Sequence, residues 1–129
     1  MQVRFARHTR RLDEVVRFYR DGLGLSEIGG FVDHEGYDGV FLDLPGTGAH
    51  LEFTTGGEHG EPAPHPESLL VLYVGSWQAV RELQARSGAA AVTSSNPYWN
   101  ENGVTIEDPD GFRVVLAATG PGTDPASVK

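Results

Sequence analysis

A repeat with a period of about 64 residues constrains the fold of this chain more than any other feature of its sequence. Residues of the first half recur in the second half at an offset of 64, and at an offset of 63 after a shared turn. The matched pairs are Val16 and Val80, Arg17 and Arg81, Gly24 and Gly88, Val40 and Val104, Leu42 and Ile106, Pro45 and Pro109, Leu51 and Val114, and Phe53 and Leu116. Because chance rarely keeps a helix, a hairpin and a turn in one register, the sequence predicts an internal duplication.

Each copy has the pattern of a β-α-β-β-β unit. Apolar residues at helical spacing predict a helix from Leu12 to Gly22, which Gly24 helps to end. Ser76 is the predicted N-cap of the corresponding helix, which ends at Gly88. Strands are predicted at Val3–His8, Leu25–Val32, Gly39–Leu44, Ala49–Thr54, Leu69–Val74, Ala91–Thr93, Gly103–Glu107 and Phe112–Ala118.

The stretch between the two copies is rich in glycine, proline and charge, and we interpret it as a linker. The sequence therefore predicts one duplicated domain over residues 1–118. Its parts are module one (1–54), the linker (55–68) and module two (69–118), followed by a flexible C-terminal tail (119–129).

Composition narrows the class of protein. The 129 residues carry a formal charge of −8 and contain no dense Lys/Arg cluster, so nucleic-acid binding is not expected. No apolar run approaches the roughly 20 residues that span a bilayer, and the first residues lack the pattern of a signal peptide. Cysteine is absent, which excludes disulfides and thiolate chemistry. We expect a cytoplasmic protein that does not bind membranes.

The duplication, with the sequences FYRDGLGL at residues 18–25 and EDPDGFRVVL at residues 107–116, resembles the vicinal-oxygen-chelate superfamily. This superfamily includes glyoxalase I, fosfomycin-resistance transferases, extradiol dioxygenases and bleomycin-resistance proteins. The resemblance covers about residues 1–118. It implies an α+β fold in which two tandem β-α-β-β-β modules form a curled, cup-like mixed sheet with helices on the outer face. It also implies a homodimer with ligand-binding cups at the interface.

Metal-dependent members of the superfamily have one metal ligand on the first and last strand of each module. The resemblance places these four positions at Arg4, Glu52, Leu69 and Val115. A guanidinium offers no lone pair, and leucine and valine have no ligand atom. One carboxylate does not hold a divalent metal. The sequence therefore predicts no metal, no cofactor and no catalytic residue of the family type, and it favours an Arg4–Glu52 ion pair.

Alternatives to a metal-free binding protein stay open at this point. His8 shares a strand face with Arg4, and His50 shares one with Glu52, so these two histidines and Glu52 could form a displaced metal triad. Glu52 could also act as a metal-free general base in an enzyme. A third alternative is a structural module whose cup is filled by its own side chains.

Strand alternation predicts the two faces of the sheets. The residues expected to pack under the helices are Val3, Phe5, Leu51, Phe53, Leu70, Leu72, Val114 and Leu116. The residues expected to face the cup are Arg4, Ala6, His8, His50, Glu52, Leu69, Val71, Tyr73, Thr105, Arg113 and Val115. Two predicted loops, Phe31–Tyr37 and Asn96–Asn100, add the aromatic residues Phe31, Tyr37, Tyr98 and Trp99, which could stack on a flat ligand or pack at a dimer contact.

An apolar cup with a few polar groups and an aromatic rim is the usual make-up of a small-molecule site. The sequence therefore predicts a metal-free protein, similar to the bleomycin-resistance branch, that sequesters a hydrophobic or aromatic compound such as an antibiotic or another natural product.

Overall fold

The computed structural model describes residues 1–57 and 60–120, which divide into two compact units, one before Pro64 and one that begins at Pro64. The fold is mixed α+β, as predicted, with one sheet in each unit. The predicted tail from residue 121 onward, and His59 of the predicted linker, lie outside the described residues. No helix in the described part of the chain is long and apolar enough to cross a membrane.

The first unit contains a four-stranded sheet in the order β1-β4-β3-β2. Strand β1 runs parallel to β4, and the other neighbours are antiparallel. The strands are β1 (Val3–His8), β2 (Glu27–His34), β3 (Tyr37–Leu44) and β4 (Ala49–Gly56). Between β1 and β2, helix α1 (Leu12–Val16) continues as a π-helical segment (Arg17–Gly22), so the predicted helix over residues 12–22 is confirmed.

The helix packs on one face of this sheet. Val15 of the helix is fully buried. The Tyr19 ring stacks on Phe53 of β4, with 4.9 Å between the ring centroids. Leu42 and Leu51 complete the core on that face. The alternate residues of β3 and β4 therefore point away from the helix.

Arg20 anchors the end of the π-helical segment. Its guanidinium donates from Nε to Asp21 (2.9 Å) and from Nη1 to Glu27 at the start of β2 (2.9 Å). The hydrogen bond to Asp21, then that to Glu27, holds the pKa of Arg20 above its ordinary value. This exposed network joins the helix to the next strand.

The second unit contains a three-stranded sheet in the order β5-β7-β6, with β5 parallel to β7 and β6 antiparallel to it. Its elements are β5 (Leu69–Tyr73), α2 (Trp77–Ser87), α3 (Pro97–Asn102), β6 (Gly103–Glu107) and β7 (Arg113–Ala117). Ser76 caps α2 by accepting from the Ala79 amide (3.1 Å), and Gly88 ends it with φ +73°, so both predicted helix boundaries are confirmed.

The turn that carries the repeated proline is organised by one buried carboxylate. Asp108 Oδ1 accepts hydrogen bonds from the Asp110 amide (2.8 Å) and the Phe112 amide (3.0 Å). The backbone of Asp108 also pairs with Phe112 and Gly111. These bonds satisfy the amides of a tight turn, which is why the predicted hairpin between β6 and β7 forms.

Three predictions of local structure were wrong. The predicted loop Phe31–Tyr37 is part of a hairpin, because Glu35 and Gly36 form a two-residue turn with positive φ at both positions. The predicted loop Asn96–Asn100 is mostly helical, because Asn96 accepts from the Tyr98 amide and Pro97 starts α3. The predicted strand Ala91–Thr93 is reduced to a single bridge between Val92 and Thr105, so the second module lacks the fourth strand of the first.

The face assignment also needs correction. Leu51, Phe53, Val114 and Leu116 are buried as predicted, but Val3 and Phe5 are 51% and 65% exposed. The helix packs against β4, and β1 is the edge strand beside it, which leaves these two side chains mostly uncovered. Leu70 and Leu72 are only half-buried. The curled cup and the homodimer stay predictions.

Two phenylalanines on neighbouring strands test this correction. Phe53→Ala removes a ring that is 3% exposed and stacked on Tyr19, so we expect it to lower the free energy of unfolding by about 3–5 kcal/mol. Phe5→Ala removes a mostly exposed ring and should lower it by less than about 1 kcal/mol. Urea unfolding of both variants measures the difference, and equal losses would contradict the exposure of Phe5.

Candidate functional site

Strand register brings four side chains together on the face of the first sheet that points away from the helix. Arg4 lies beside His50 in the β1–β4 pair, and Phe41 lies beside Glu52 in the β3–β4 pair. His50 and Glu52 are two residues apart on β4, so they share this face. We call Arg4, Phe41, His50 and Glu52 the first-sheet site.

Arg4 is held from three directions. Its Nε donates to His50 Nε2 at 2.9 Å, its Nη1 lies 3.7 Å from Glu52 Oε2, and its guanidinium carbon lies 4.6 Å from the centroid of the Phe41 ring. The ion pair with Glu52 was predicted and is present. The side chain is nevertheless 49% exposed, so a positioned cation is presented to solvent.

His50 must be neutral at Nε2 to accept this bond, which places its ring proton on Nδ1. The His50 ring also meets Phe41 edge-on, with 5.8 Å between centroids. The imidazole thereby fixes the orientation of Arg4 while its own ring is packed against an aromatic neighbour. Protonation of His50 would replace the acceptor with a donor and set two positive charges side by side.

Glu52 differs from an ordinary surface acid. Its side chain is only 13% exposed, and its closest partner is the Arg4 nitrogen at 3.7 Å, which is beyond hydrogen-bond distance. Within residues 1–57 and 60–120, the Glu52 carboxylate makes no hydrogen bond. Because a mostly buried carboxylate is costly to leave without donors, this group has acceptor capacity to offer.

Aromatic rings extend the first-sheet site along the sheet. The Phe31 ring lies 5.9 Å from that of Phe41 and also approaches His34, at 6.0 Å. Phe31 is opposite Gly39, and its ring occupies the space that a Cβ at Gly39 would need. The glycine therefore lets Phe31 lie down across β3 next to Phe41.

The second sheet has the same register with different residues. Leu69 pairs with Arg113 as Arg4 pairs with His50, and Thr105 pairs with Val115 as Phe41 pairs with Glu52. The counterparts of Arg4, Phe41, His50 and Glu52 are thus Leu69, Thr105, Arg113 and Val115. Only one of these four counterparts carries a charge.

That charge is already satisfied within the second unit. Arg113 Nε donates to Glu107 (3.2 Å), and its Nη1 donates to the Thr93 carbonyl (3.3 Å). Val115 is fully buried and Thr105 is 2% exposed, although both were predicted to face a cup. The Thr105 hydroxyl has no hydrogen-bond partner in the part of the chain that the structure describes.

Helix α3 lies against β6 and β7 and brings aromatic residues to this sheet. Its Trp99 ring lies 6.5 Å from Tyr73 and 4.7 Å from Tyr98. Asn100 fixes the approach to the helix through two bonds with the backbone of Ser94. The predicted aromatic residues Tyr98 and Trp99 therefore come together with Tyr73. Val71 lies half-buried on the same strand as Tyr73, two residues before it.

The remaining predicted residues lie away from Arg4. His8 is at the other end of β1, beside Thr54, and Tyr37 begins β3 beside the end of β4. One residue of the first-sheet site was missed, namely Phe41. Alternation could have found it, because Val40 and Leu42 were matched to the repeat and Leu42 is a core residue, which leaves Phe41 on the opposite face.

The residues present do not fit the metal of the superfamily. Arg4 brings a cation to the first ligand position, and Leu69 and Val115 bring hydrocarbon to two others. Among the described residues, no three His, Asp or Glu side chains are grouped so that they could hold a metal ion. The displaced triad of His8, His50 and Glu52 is therefore not assembled, since His50 accepts from Arg4 and His8 lies at the far end of its strand.

Comparison with known proteins gives a family for both units. The pattern of the YycE-like N-terminal domain matches residues 3–54, and that of the YycE-like C-terminal domain matches residues 67–118. The uncharacterised protein YycE of Bacillus subtilis is 51% identical over 119 residues, which are 89% of this chain and 86% of YycE.

Solved structures agree with this match. A crystal structure of a YycE protein of unknown function from Bacillus subtilis, described as a candidate glyoxalase/fosfomycin-resistance protein, superposes with a TM-score of 0.86 at 48% identity, covering 92% of this chain and 90% of that one. The fosfomycin-resistance protein FosX of Mesorhizobium loti superposes with a TM-score of 0.67 at 10% identity, covering 93% and 92%. The second likeness shows the fold alone.

The Arg4–His50 bond makes a spectroscopic prediction. The Arg4 Nε proton should exchange slowly with water and give a distinct signal in ¹H–¹⁵N NMR spectra, because it is donated to His50 at 2.9 Å. His50→Ala should abolish that signal. His34→Ala in the β2–β3 hairpin is the matched control and should leave it unchanged. Persistence of the signal in His50→Ala would refute the geometry.

Proposed function

Because the chain belongs to the YycE-like family and has the fold of glyoxalases and fosfomycin-resistance proteins, we propose that it binds a small organic molecule at the first-sheet site without a resident metal. The proposed role is sequestration of a hydrophobic or aromatic compound, such as an antibiotic or another natural product. A homodimer and a cytoplasmic location are part of the same proposal.

The observation that carries this proposal is a positioned guanidinium at the residue that the superfamily resemblance aligns with the first metal ligand. Arg4 occupies the first ligand position of the superfamily and is fixed there by His50, Glu52 and Phe41. A fixed guanidinium beside a mostly buried carboxylate offers a localised positive charge with N–H donors and, next to it, a hydrogen-bond acceptor. Binding needs such polar groups and an apolar surface, whereas it needs no metal-activated water.

The aromatic surroundings support an organic ligand over an inorganic ion. Phe41 lies beside the charged pair, and the Phe31 ring, which lies over Gly39, extends this aromatic surface. An aromatic or apolar ligand body could lie on these rings while its polar groups meet Arg4 and Glu52. The second sheet offers a weaker candidate, because Val115 and Thr105 are buried within the chain.

Glu52 as a general base is the second candidate function, and the free acceptor capacity of its carboxylate favours it. Such an enzyme would abstract a proton from a ligand bound against Arg4. The two candidates differ in turnover. A bound compound that is recovered unchanged after prolonged incubation supports sequestration, and a compound that is converted at a rate lost in Glu52→Gln supports the enzyme.

Thermal unfolding in the presence of a panel of aromatic antibiotics tests metal-independent binding. A ligand present at 100 times its Kd should stabilise the folded chain by about 2.7 kcal/mol, which raises Tm by several degrees. We expect at least one compound to do so equally with and without EDTA. Phe41→Ala should weaken binding about tenfold or more, whereas Val32→Ala, at an 83% exposed position of the same sheet, should not. A shift abolished by EDTA, or no shift from any compound, would count against the proposal.

A further inference from the structure

We infer that the ligand carries an anionic group and a hydrogen-bond donor on one carbon atom that is linked to an aromatic ring, and that Arg4 and Glu52 recognise these two groups. The ligand class is therefore that of aromatic amino acids and their phosphonate analogues, in free form or as part of a larger compound. This inference rests on the proposed function, since it assigns the chemistry of the ligand at the same site.

The anionic group of the ligand is inferred from the guanidinium N–H groups of Arg4 that can still donate hydrogen bonds. His50 occupies Nε, so the side-on fork formed by Nε and one terminal nitrogen is closed to a ligand. Arg4 Nη2 makes no hydrogen bond within the described residues, and Nη1 has only the 3.7 Å contact with Glu52. The end-on fork of Nη1 and Nη2 is therefore open, and its geometry matches the two oxygens of a carboxylate or phosphonate.

The donor follows from Glu52. An ionised carboxylate only accepts hydrogen bonds, and burial of this side chain to 13% exposure limits the water that can satisfy it. An ammonium or N–H group of the ligand would supply the missing donor and would also neutralise the carboxylate. A ligand with an anion alone would bring a second negative charge near Glu52 without supplying the donor that this carboxylate lacks.

The spacing of the two groups follows from the register. Arg4 and Glu52 are on adjacent paired strands, which lie about 4.8 Å apart, and their charged atoms are separated by 3.7 Å. Ala6, the residue of β1 paired with Glu52, is small and leaves room beside the carboxylate. The carboxylate and ammonium of an α-amino acid, which share one carbon atom, are close enough together to reach both partners at once.

An ordinary surface ion pair is the alternative explanation of these contacts. Such a pair adds little to the free energy of folding, and that contribution comes from direct hydrogen bonds between the two charged groups. In this structure the hydrogen bond of Arg4 goes to a neutral histidine, while the guanidinium and the carboxylate stay apart. Two opposite charges held side by side without a mutual hydrogen bond are arranged to bind the complementary pair.

A set of four indole probes tests the inference on the full chain. L-tryptophan carries both groups, tryptamine lacks the carboxylate, indole-3-propionate lacks the ammonium, and indole lacks both. NMR titration of the ¹⁵N-labelled protein, followed at the amides of Arg4, His50 and Glu52 and at Arg4 Nε, measures each Kd. We expect tryptophan to bind at least tenfold more tightly than each of the other three.

Two variants assign the groups to their partners. Arg4→Gln should remove the preference for tryptophan over tryptamine, and Glu52→Gln should remove the preference for tryptophan over indole-3-propionate, while both variants retain weak binding of indole. The matched controls Arg17→Gln and Glu35→Gln change exposed residues of the same unit and should preserve both preferences. Retention of both preferences in the Arg4 and Glu52 variants overturns the inference.

The outcomes separate this inference from the proposed function. If a probe that lacks one group binds as tightly as tryptophan, the inference is overturned and small-molecule binding at the first-sheet site stands. If no probe perturbs the first-sheet site, the inference fails, and the proposed function then depends on the antibiotic panel alone.

Discussion

The parallel pairing of β1 with β4 determines what this chain can do. It brings Arg4 next to His50 across 46 residues of sequence, and it places Ala6 next to Glu52. A parallel pair requires a crossover connection, which here includes the helix that buries the opposite face of the sheet. The same pairing therefore creates the core under Tyr19 and the charged group above it. A shift of one residue in this register would turn Arg4 to the helix side of the sheet and Phe5 towards the carboxylate.

The two halves of the repeat share the pairing of their three common strands and differ in side-chain chemistry. At equivalent register positions the first unit has Arg4 and Glu52, and the second has Leu69 and Val115. Helix α3 covers the second sheet where the first unit instead continues into β2 and its hairpin. The second unit therefore has mainly apolar side chains at these positions. The first unit has polar side chains that its own backbone does not hydrogen-bond.

The sequence was sufficient for the parts of the fold that depend on local patterns. The helix boundaries at Ser76 and Gly88, the tight turn at Asp108 and the strands β6 and β7 all follow from residues close in sequence. The sequence could not predict the exposure of Phe5 on the edge strand β1. Alternation assigns Phe5 to one face of the sheet, but it cannot show that the helix packs against the neighbouring strand β4. The helix α3 was missed because its length is short and its Asn-Pro start also fits a loop.

Phe31 and Gly39 have a consequence for how sequences of this family can change. The ring of Phe31 lies where any side chain at position 39 would begin, so the two positions share one volume. Replacement of Gly39 by a larger residue displaces the ring from Phe41, unless residue 31 becomes smaller at the same time. Positions 31 and 39 should thus vary as a pair among relatives. A relative with a small residue at position 31 and a large one at position 39 would keep the strands, but the surface of its sheet that meets the ligand would have a different shape.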